Sequence, residues 1–508
     1  MAPGGNEDIV SAADAASNSR NSNEETPLIQ RRVEDVPDGG SGEYIWYYSD
    51  GISVRVLRFI LYLLFLVCFV WTVLLTVNVF TSIKPFIIPG SGFLELDLSL
   101  LALVRVFIGL KFFASATKSD LYFSYVSSGL LFLDGVLLVS VPHLRHKHGG
   151  TLVGVITVVG TLVVFLVCSG CVAMVLRLYA RARDEEASIV NPEEHHQRRK
   201  MSKKSRFKNF FTSSMSFSGC LGLLVLIALF SGFLVLNSVR GSMDPPSPGH
   251  LVPVNNNRYN VHIACTAKKD VLEPGSKNLT VLMETDTDTP SEEFASWALK
   301  IAQDNKNVNQ VCYYDRPGLG WSDSAPSPQS ISTTIHTLCQ ALDHEGISKN
   351  STFMLLAHGV GGLYSRSFAA SIPNNLHGLV LIDTPDEDLF LSKITPLKGL
   401  IYFVKGMISP ISRGGYYKVK LQQHLARGLI GREIKAANTM LNPEAPVTVV
   451  SSAQSITKIN KWGEGQRRLT KLSNNTISWT VLEGPHELWK DQDSKAQLQS
   501  LLHNLLTL

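Results

Sequence analysis

Few residues of this 508-residue chain have the type and spacing to do chemistry. Near the C-terminus, His486 follows Gly484 and Pro485, and upstream Asp383, Asp386 and Asp388 follow a short apolar run. An imidazole held by a carboxylate can activate water as a general base. Cys168 and Cys171 stand at C-x-x-C spacing, the spacing of thiolate metal and redox sites. Both lie inside a long apolar run, where a thiol packs as a small hydrophobe. Neither a metal site nor a cofactor is expected. Arg105 and Asp134 also fall inside apolar runs, where charges are costly; they are functional candidates, or simply partners of one another. Three N-x-S/T sequons, at Asn278, Asn350 and Asn474, could accept glycans, and all follow residue 241. In the segment Glu24-Glu25-Thr26-Pro27-Leu28-Ile29, the residues Glu24, Leu28 and Ile29 have the spacing of an acidic dileucine sorting signal, which clathrin adaptors read on an extended peptide.

These residues are distributed over three compositionally distinct regions. Residues 1–50 are polar and without apolar period, which predicts a disordered tail. Residues 51–240 are dominated by apolar runs. Spanning a bilayer takes about 20 mostly apolar residues, and Val56–Val79, Leu121–Val141, Thr151–Leu176 and Phe217–Val239 each qualify. The first begins too far into the chain, and is too long, for a signal peptide. Leu96–Ala116 is weaker, because Arg105 near its middle costs about 2.5–3.5 kcal/mol, which its apolar neighbours offset if Arg105 faces other helices. The 177–214 segment carries a dense run of basic residues, including Arg198, Arg199, Lys200, Lys203 and Lys204. Positive charge marks the cytosolic side, so residues 241–508 are expected in the lumen. The basic residues of the tail put the N-terminus in the cytosol, and both assignments hold together only with about five spans. The net charge of +4 is small and its basic residues crowd the apolar runs, which points to a membrane and not to nucleic acid. Of the seven cysteines, only Cys265, Cys312 and Cys339 fall in the lumenal part, enough for one disulfide.

Residues 241–508 alternate short apolar runs with helical patterns, as in a parallel sheet with crossover helices. Strands are predicted at Val261–Cys265, Leu279–Glu284, Val311–Tyr314, Phe353–Ala357, Leu379–Ile382, Val447–Val450 and Ser478–Leu482, and helices at Ser296–Asp304 and Ile331–Glu345. A basic, helical insertion occupies about 391–440. The segments Val311-Cys-Tyr-Tyr-Asp-Arg-Pro-Gly-Leu-Gly-Trp-Ser-Asp323, Thr352–Phe368, Leu379-Val-Leu-Ile-Asp383 and Gly484-Pro-His486 resemble, in order, motifs of the α/β-hydrolase superfamily. The chain looks like a membrane-anchored member of it, similar to plant α/β-hydrolase-like membrane proteins. The resemblance covers residues 258–508. It implies a mostly parallel, doubly wound sheet of α/β-hydrolase type with the insertion as its helical cap, beside the α-helical transmembrane region. It also implies a chain order of nucleophile, acid, histidine.

By that resemblance the nucleophile elbow is Ala357-His358-Gly359-Val360-Gly361, with Gly359 where the family has serine. Glycine holds the strained turn easily but supplies no nucleophile, whereas the turn itself should accept a serine. Glu284-Thr-Asp-Thr-Asp288 replaces the glycine-rich oxyanion turn, putting Asp286 and Asp288 where donors belong. Ser451–Ser455 holds no carboxylate at the usual place of the acid, leaving Asp383, Asp386 or Asp388 as substitutes. If the domain were active, His486 and Asp383 would be its catalytic residues. The expectation is a pseudoenzyme: a glycoprotein of the vacuolar, endolysosomal or Golgi membrane whose lumenal domain binds a lipid or a protein partner. The alternative is a divergent hydrolase acting on a membrane-derived ester; a transporter role is a distant third, since no internal repeat supports it.

Overall fold

The computed structural model describes residues 52–113, 116–189, 203–241, 245–267, 279–348, 351–410 and 413–507. The sequons at Asn278 and Asn350 and the Glu24, Leu28, Ile29 motif lie outside these residues. Long apolar stretches form helices α1 (Ile52–Phe80), α2 (Phe93–Lys111), α3 (Lys118–Ser140), α4 (Leu152–Ile189) and α5 (Lys203–Gly241). By length and composition, α1, α3, α4 and α5 can each cross a membrane. Helix α2 carries Glu95, Asp97 and Arg105 in 19 residues, and it packs among the other four through Leu94, Leu98, Ala102, Val106 and Ile108. Arg105 does face its neighbours, being 2% exposed, and donates to Ser124 Oγ at 2.7 Å. Asp134 accepts instead from Ser231 Oγ at 2.8 Å. The pairing of Arg105 with Asp134 considered from the sequence is therefore replaced by two separate side-chain hydroxyl partners.

The rest of the chain forms one eight-stranded sheet in the order β1-β2-β4-β3-β5-β6-β7-β8. The strands are β1 (His250–Val254), β2 (Tyr259–Ala267), β3 (Leu279–Glu284), β4 (Val308–Tyr314), β5 (Thr352–His358), β6 (Leu376–Ile382), β7 (Val447–Ser452) and β8 (Thr476–Leu482). β1 and β2 run antiparallel to their neighbours, and all later pairs are parallel. This is the mostly parallel sheet implied by the α/β-hydrolase resemblance. Parallel strands covered on both faces read as continuous apolar runs, and β3 and β7 are buried at every position. Strand β1 is absent from the sequence reading: Pro253 interrupts it, and it forms the sheet edge, where proline is tolerated. Of the helix expected at Ser296–Asp304, Leu299–Asp304 is formed, and a second short helix, Ser291–Ala295, precedes it. The turn between them lets Trp297 and Ala298 both enter the core. Cys265 and Cys312 face each other across β2 and β4 and form a disulfide.

The sheet domain sits directly on the helix bundle. Ser327 N–H donates to Ser82 Oγ at 2.6 Å, and Ser324 N–H to the Pro89 carbonyl at 2.8 Å. Asp323 lies 2.9 Å from His146 and 3.6 Å from Lys147, in the α3–α4 connection. Consequently the C-terminal ends of α1, α3 and α5 and the N-terminal ends of α2 and α4 all lie toward the sheet domain. The cap consists of helices Glu387–Lys393, Pro396–Ile408, Gly414–Leu425 and Arg427–Met440 between β6 and β7. It covers the carboxyl ends of the parallel strands, the end at which open α/β sheets carry their sites.

Candidate functional site

The turn after β5 has the predicted geometry. His358 ends the strand, Gly359 takes φ +54°, and a helix runs from Gly361 to Ser371. A left-handed φ is readily adopted by glycine. The space that a side chain at Gly359 would need is filled, however. A Cβ built there would lie 2.6 Å from Asp286 Oδ2 and 2.7 Å from Asp286 Cγ. The backbone would hold a serine; the expectation that the whole turn accepts one fails because the carboxylate arriving from the end of β3 occupies the position.

Asp286 is anchored there from three directions. Its Oδ1 accepts from Thr287 N–H at 2.6 Å and from Val360 N–H at 3.4 Å, while Oδ2 lies 3.3 Å from His486 Nε2. Burial alone would raise the pKa of Asp286. The hydrogen bond with His486, the nearby imidazoles His358 and His486 and the Thr287 N–H more than offset it and hold the carboxyl well below the usual range. Asp288, which the sequence puts beside it, turns away and binds Tyr416 and Lys420 of the cap. Only Asp286, therefore, enters the oxyanion region.

On the other side of His486, Nδ1 lies 2.6 Å from Asp383 Oδ2. Asp383 is fully buried at the end of β6, with φ +43°. It also accepts from Ser452 N–H at 3.0 Å, Trp462 Nε1–H at 2.7 Å and Ser455 Oγ–H at 2.5 Å. Of the three carboxylates offered by the sequence, the structure brings only Asp383 to His486. Asp386 is paired with Arg468 and Asp388 is exposed. The Ser451–Ser455 segment supplies no acid but donates two of the hydrogen bonds that hold one. Trp462 had no signal in the sequence, and neither did Asp286 as an occupant of the elbow.

His486 thus bridges two carboxylates. Burial opposes its charge, but the hydrogen bonds to Asp286 and Asp383 raise its pKa to about 9. Beneath it, His358 packs against Phe294 and Trp489 and is held to about 4, first by burial and then by the charge of His486. These shifts favour a protonated His486 above a neutral His358 at neutral pH. A protonated imidazole cannot accept a proton from a nucleophile. Among the described residues no cluster of three or more His, Cys, Asp or Glu side chains could hold a metal ion. Of the expected glycan sites, the described one, Asn474, is exposed just before β8 begins, at the opposite end of the strands from Gly359.

A protein family described as a region of unknown function (DUF2417) matches residues 11–265, just over half of the chain. An uncharacterised protein of Schizosaccharomyces pombe is 23% identical, with 88% of this chain and 89% of the relative covered. An uncharacterised vacuolar membrane protein of Saccharomyces cerevisiae is 22% identical over 55% of this chain and 56% of its own length. Among solved structures, an enol-lactonase from Burkholderia xenovorans LB400 is similar to 51% of this chain over its whole length, at a TM-score of 0.37 and 12% identity. A loop variant of a haloalkane dehalogenase from Bradyrhizobium elkanii covers 51% of this chain and 97% of its own, at a TM-score of 0.38 and 12% identity.

Proposed function

The chain belongs to the DUF2417 family, and from that membership and the geometry above we propose that it is an integral membrane protein of the endomembrane system whose hydrolase-fold domain works without catalysis, as a lumenal binding or interaction module. One observation carries this reading: the Asp286 carboxylate fills the side-chain space of the elbow residue Gly359 and ion-pairs with His486. Nucleophile and free base are lost together, while the fold that held them is kept. Fold and chemistry are separable.

The yeast relative described as a vacuolar membrane protein supports a vacuolar membrane for this one. Three features support a lumenal domain. The basic 177–208 stretch takes in the C-terminal end of α4 and the N-terminal start of α5, the helix ends that lie away from the sheet domain. The Cys265–Cys312 disulfide suits an oxidising compartment. The alternating helix ends fit five crossings, with α2 long enough, at about 1.5 Å per residue, to span most of a bilayer core.

A second reading has one observation in its favour. The Asp383–His486 pair survives with the geometry of an acid and its base, as a divergent hydrolase of a membrane-derived ester would need. The test uses full-length protein in nanodiscs, treated with a fluorophosphonate probe and with p-nitrophenyl esters of short and long acyl chains. Neither labelling of a serine at the site nor turnover is expected. Ester turnover that disappears in His486→Ala would establish the hydrolase instead.

A further inference from the structure

The cap helix Pro396–Ile408 has two faces. Its inner seam holds Gly399, Tyr402, Phe403 and Gly406, spaced at helical intervals. Phe403 stacks on Phe80, the last residue of α1, with ring centroids 5.1 Å apart, and meets Phe93, the first residue of α2, at 5.9 Å. Gly406 lies so close to the Phe93 ring that a Cβ there would come within 2.3 Å of it. The helix is therefore pressed against the points where α1 and α2 meet the sheet domain.

Its outer face carries Leu397, Leu400, Ile401, Val404 and Ile408, at positions i, i+3, i+4, i+7 and i+11. All five are between 49% and 73% exposed. Membrane-facing residues of α1 such as Phe59, Val73 and Val77 are exposed to a similar degree, 44% to 68%. A contiguous aliphatic stripe of this kind is rare on a water-facing surface and marks an interaction site. Two facts identify the occupant. First, the helix that bears the stripe packs through its inner face on Phe80 at the end of α1, so the stripe lies where the membrane helices end. Second, the cap is basic: between Asp388 and Glu433 the sequence has no acidic residue, while Lys398 and Lys405 are exposed on the helix itself and Lys393 and Arg413 on the segments that flank it. An amphipathic helix with an aliphatic face and flanking lysines, lying at a bilayer boundary, is the signature of an interfacial helix. The long lysine stems let the charged ends reach the headgroups.

We propose that the outer face of Pro396–Ile408 is seated in the lipid leaflet next to the sheet domain, with Leu397, Leu400, Ile401, Val404 and Ile408 among the acyl chains and Lys398 and Lys405 at the phosphates. The cap, and with it the carboxyl end of the sheet where Asp286, Asp383 and His486 meet, then faces the membrane surface. Anything entering beneath the cap does so from the lipid side. The proposal holds whether or not the domain is catalytic, so its failure leaves the reading of the Asp286–His486 pair untouched.

The test places p-benzoylphenylalanine at Leu400, at Val404 or at Lys306 in the full chain, each protein reconstituted in phosphatidylcholine–phosphatidylserine nanodiscs. Lys306 is exposed just before β4 begins, at the opposite end of the strands from the cap. On illumination, mass spectrometry should find phospholipid adducts at Leu400 and Val404 and none at Lys306. Because both cap positions are already exposed, the substitutions leave the core packing intact. Crosslinks from Leu400 and Val404 to a second copy of the chain or to another protein would overturn the proposal. So would a lipid yield at these positions no higher than at Lys306.

Discussion

Substituting Gly359→Ser tests the site most directly, because the structure assigns it two separable costs. The first is conformational: at φ +54° a residue with a Cβ is disfavoured by roughly 1–2 kcal/mol. The second is steric. The new Cβ would lie 2.6, 2.7 and 2.8 Å from Oδ2, Cγ and Cβ of Asp286, inside the distance that real Cβ atoms keep. Overpacking of this kind costs about 1–3 kcal/mol. Gly359→Ser alone should therefore destabilise the protein by about 2–5 kcal/mol, without activity. Asp286→Gly removes the second cost and the first does not change. Combining the two should recover about 0.5–3 kcal/mol relative to the sum of the single variants, the range for residues in contact.

The same double variant restores the elements of a reaction. With Asp286 gone, His486 keeps only Asp383, at 2.6 Å from Nδ1, and its Nε2 is free to face the new hydroxyl. Val360 N–H, released from Asp286 Oδ1, becomes a donor beside the elbow, the position from which a backbone N–H stabilises an oxyanion. Thermal unfolding in nanodiscs measures the cycle, and fluorophosphonate labelling measures the hydroxyl. The double variant should label at residue 359, and neither single variant should. If Gly359→Ser alone is as stable as the parent and labels as fast as the double variant, then Asp286 does not occupy the elbow.

Three further outcomes follow from the same geometry. The pKa of His486 is raised to about 9, above its ordinary value near 6.5, so its stabilisation is complete below about pH 6.5 and lost as pH rises through about 9. The melting temperature should fall across that window, and Asp286→Asn should move the fall to lower pH; an unchanged profile would show that Asp286 does not hold the proton on His486. Asp383→Asn leaves at least one of four donors facing an amide N–H₂ and removes the buried charge opposite His486, which should cost about 3–5 kcal/mol in denaturant unfolding of the full chain. Endoglycosidase should increase the gel mobility of full-length protein, with a smaller change in Asn474→Gln, and protease added to sealed vesicles should spare residues 241–508; digestion of that domain would reverse the topology.

The fold was legible because its signal is local. Runs such as Val281–Met283 and Val447–Val450 are buried on both sheet faces, so their apolar character is continuous in sequence. Strand boundaries were short by up to three residues, since β2, β4 and β6 extend through polar or half-exposed positions such as Asn309 and Gln310. The site was legible only in part, and the division has a physical cause. That Gly359 brings no nucleophile is a property of one residue. What fills the space depends on how the chain after β3 folds back, and Asp286 is 73 positions away from Gly359 in sequence. The reading of Asp286 and Asp288 as equivalent carboxylates failed for the same reason: successive polar residues in a loop can point to unrelated partners, here His486 and the cap residues Tyr416 and Lys420.

On the non-catalytic reading proposed above, the position of the ionic cluster gives a reason to keep it. Asp286 follows β3, Gly359 follows β5, Asp383 follows β6 and His486 follows β8, so one imidazolium joins the carboxyl ends of strands spread across the parallel sheet. That is the edge the cap covers, and the cap is pressed against α1 and α2 through Phe403 and Gly406. In an enzyme the histidine must lose and regain a proton, so its carboxylate partners have to leave it near the working pH. On the non-catalytic reading, a second carboxylate at the nucleophile position opposes that exchange by favouring the protonated histidine. A buried pair is costly to form but more costly to break at one partner, so the cluster would hold the ends of these strands together even without turnover. Gly359, Asp286, Asp383 and His486 then form one unit: any change that restores the proton exchange must also loosen the end of the sheet on which the cap, and its contact with the membrane helices, depend.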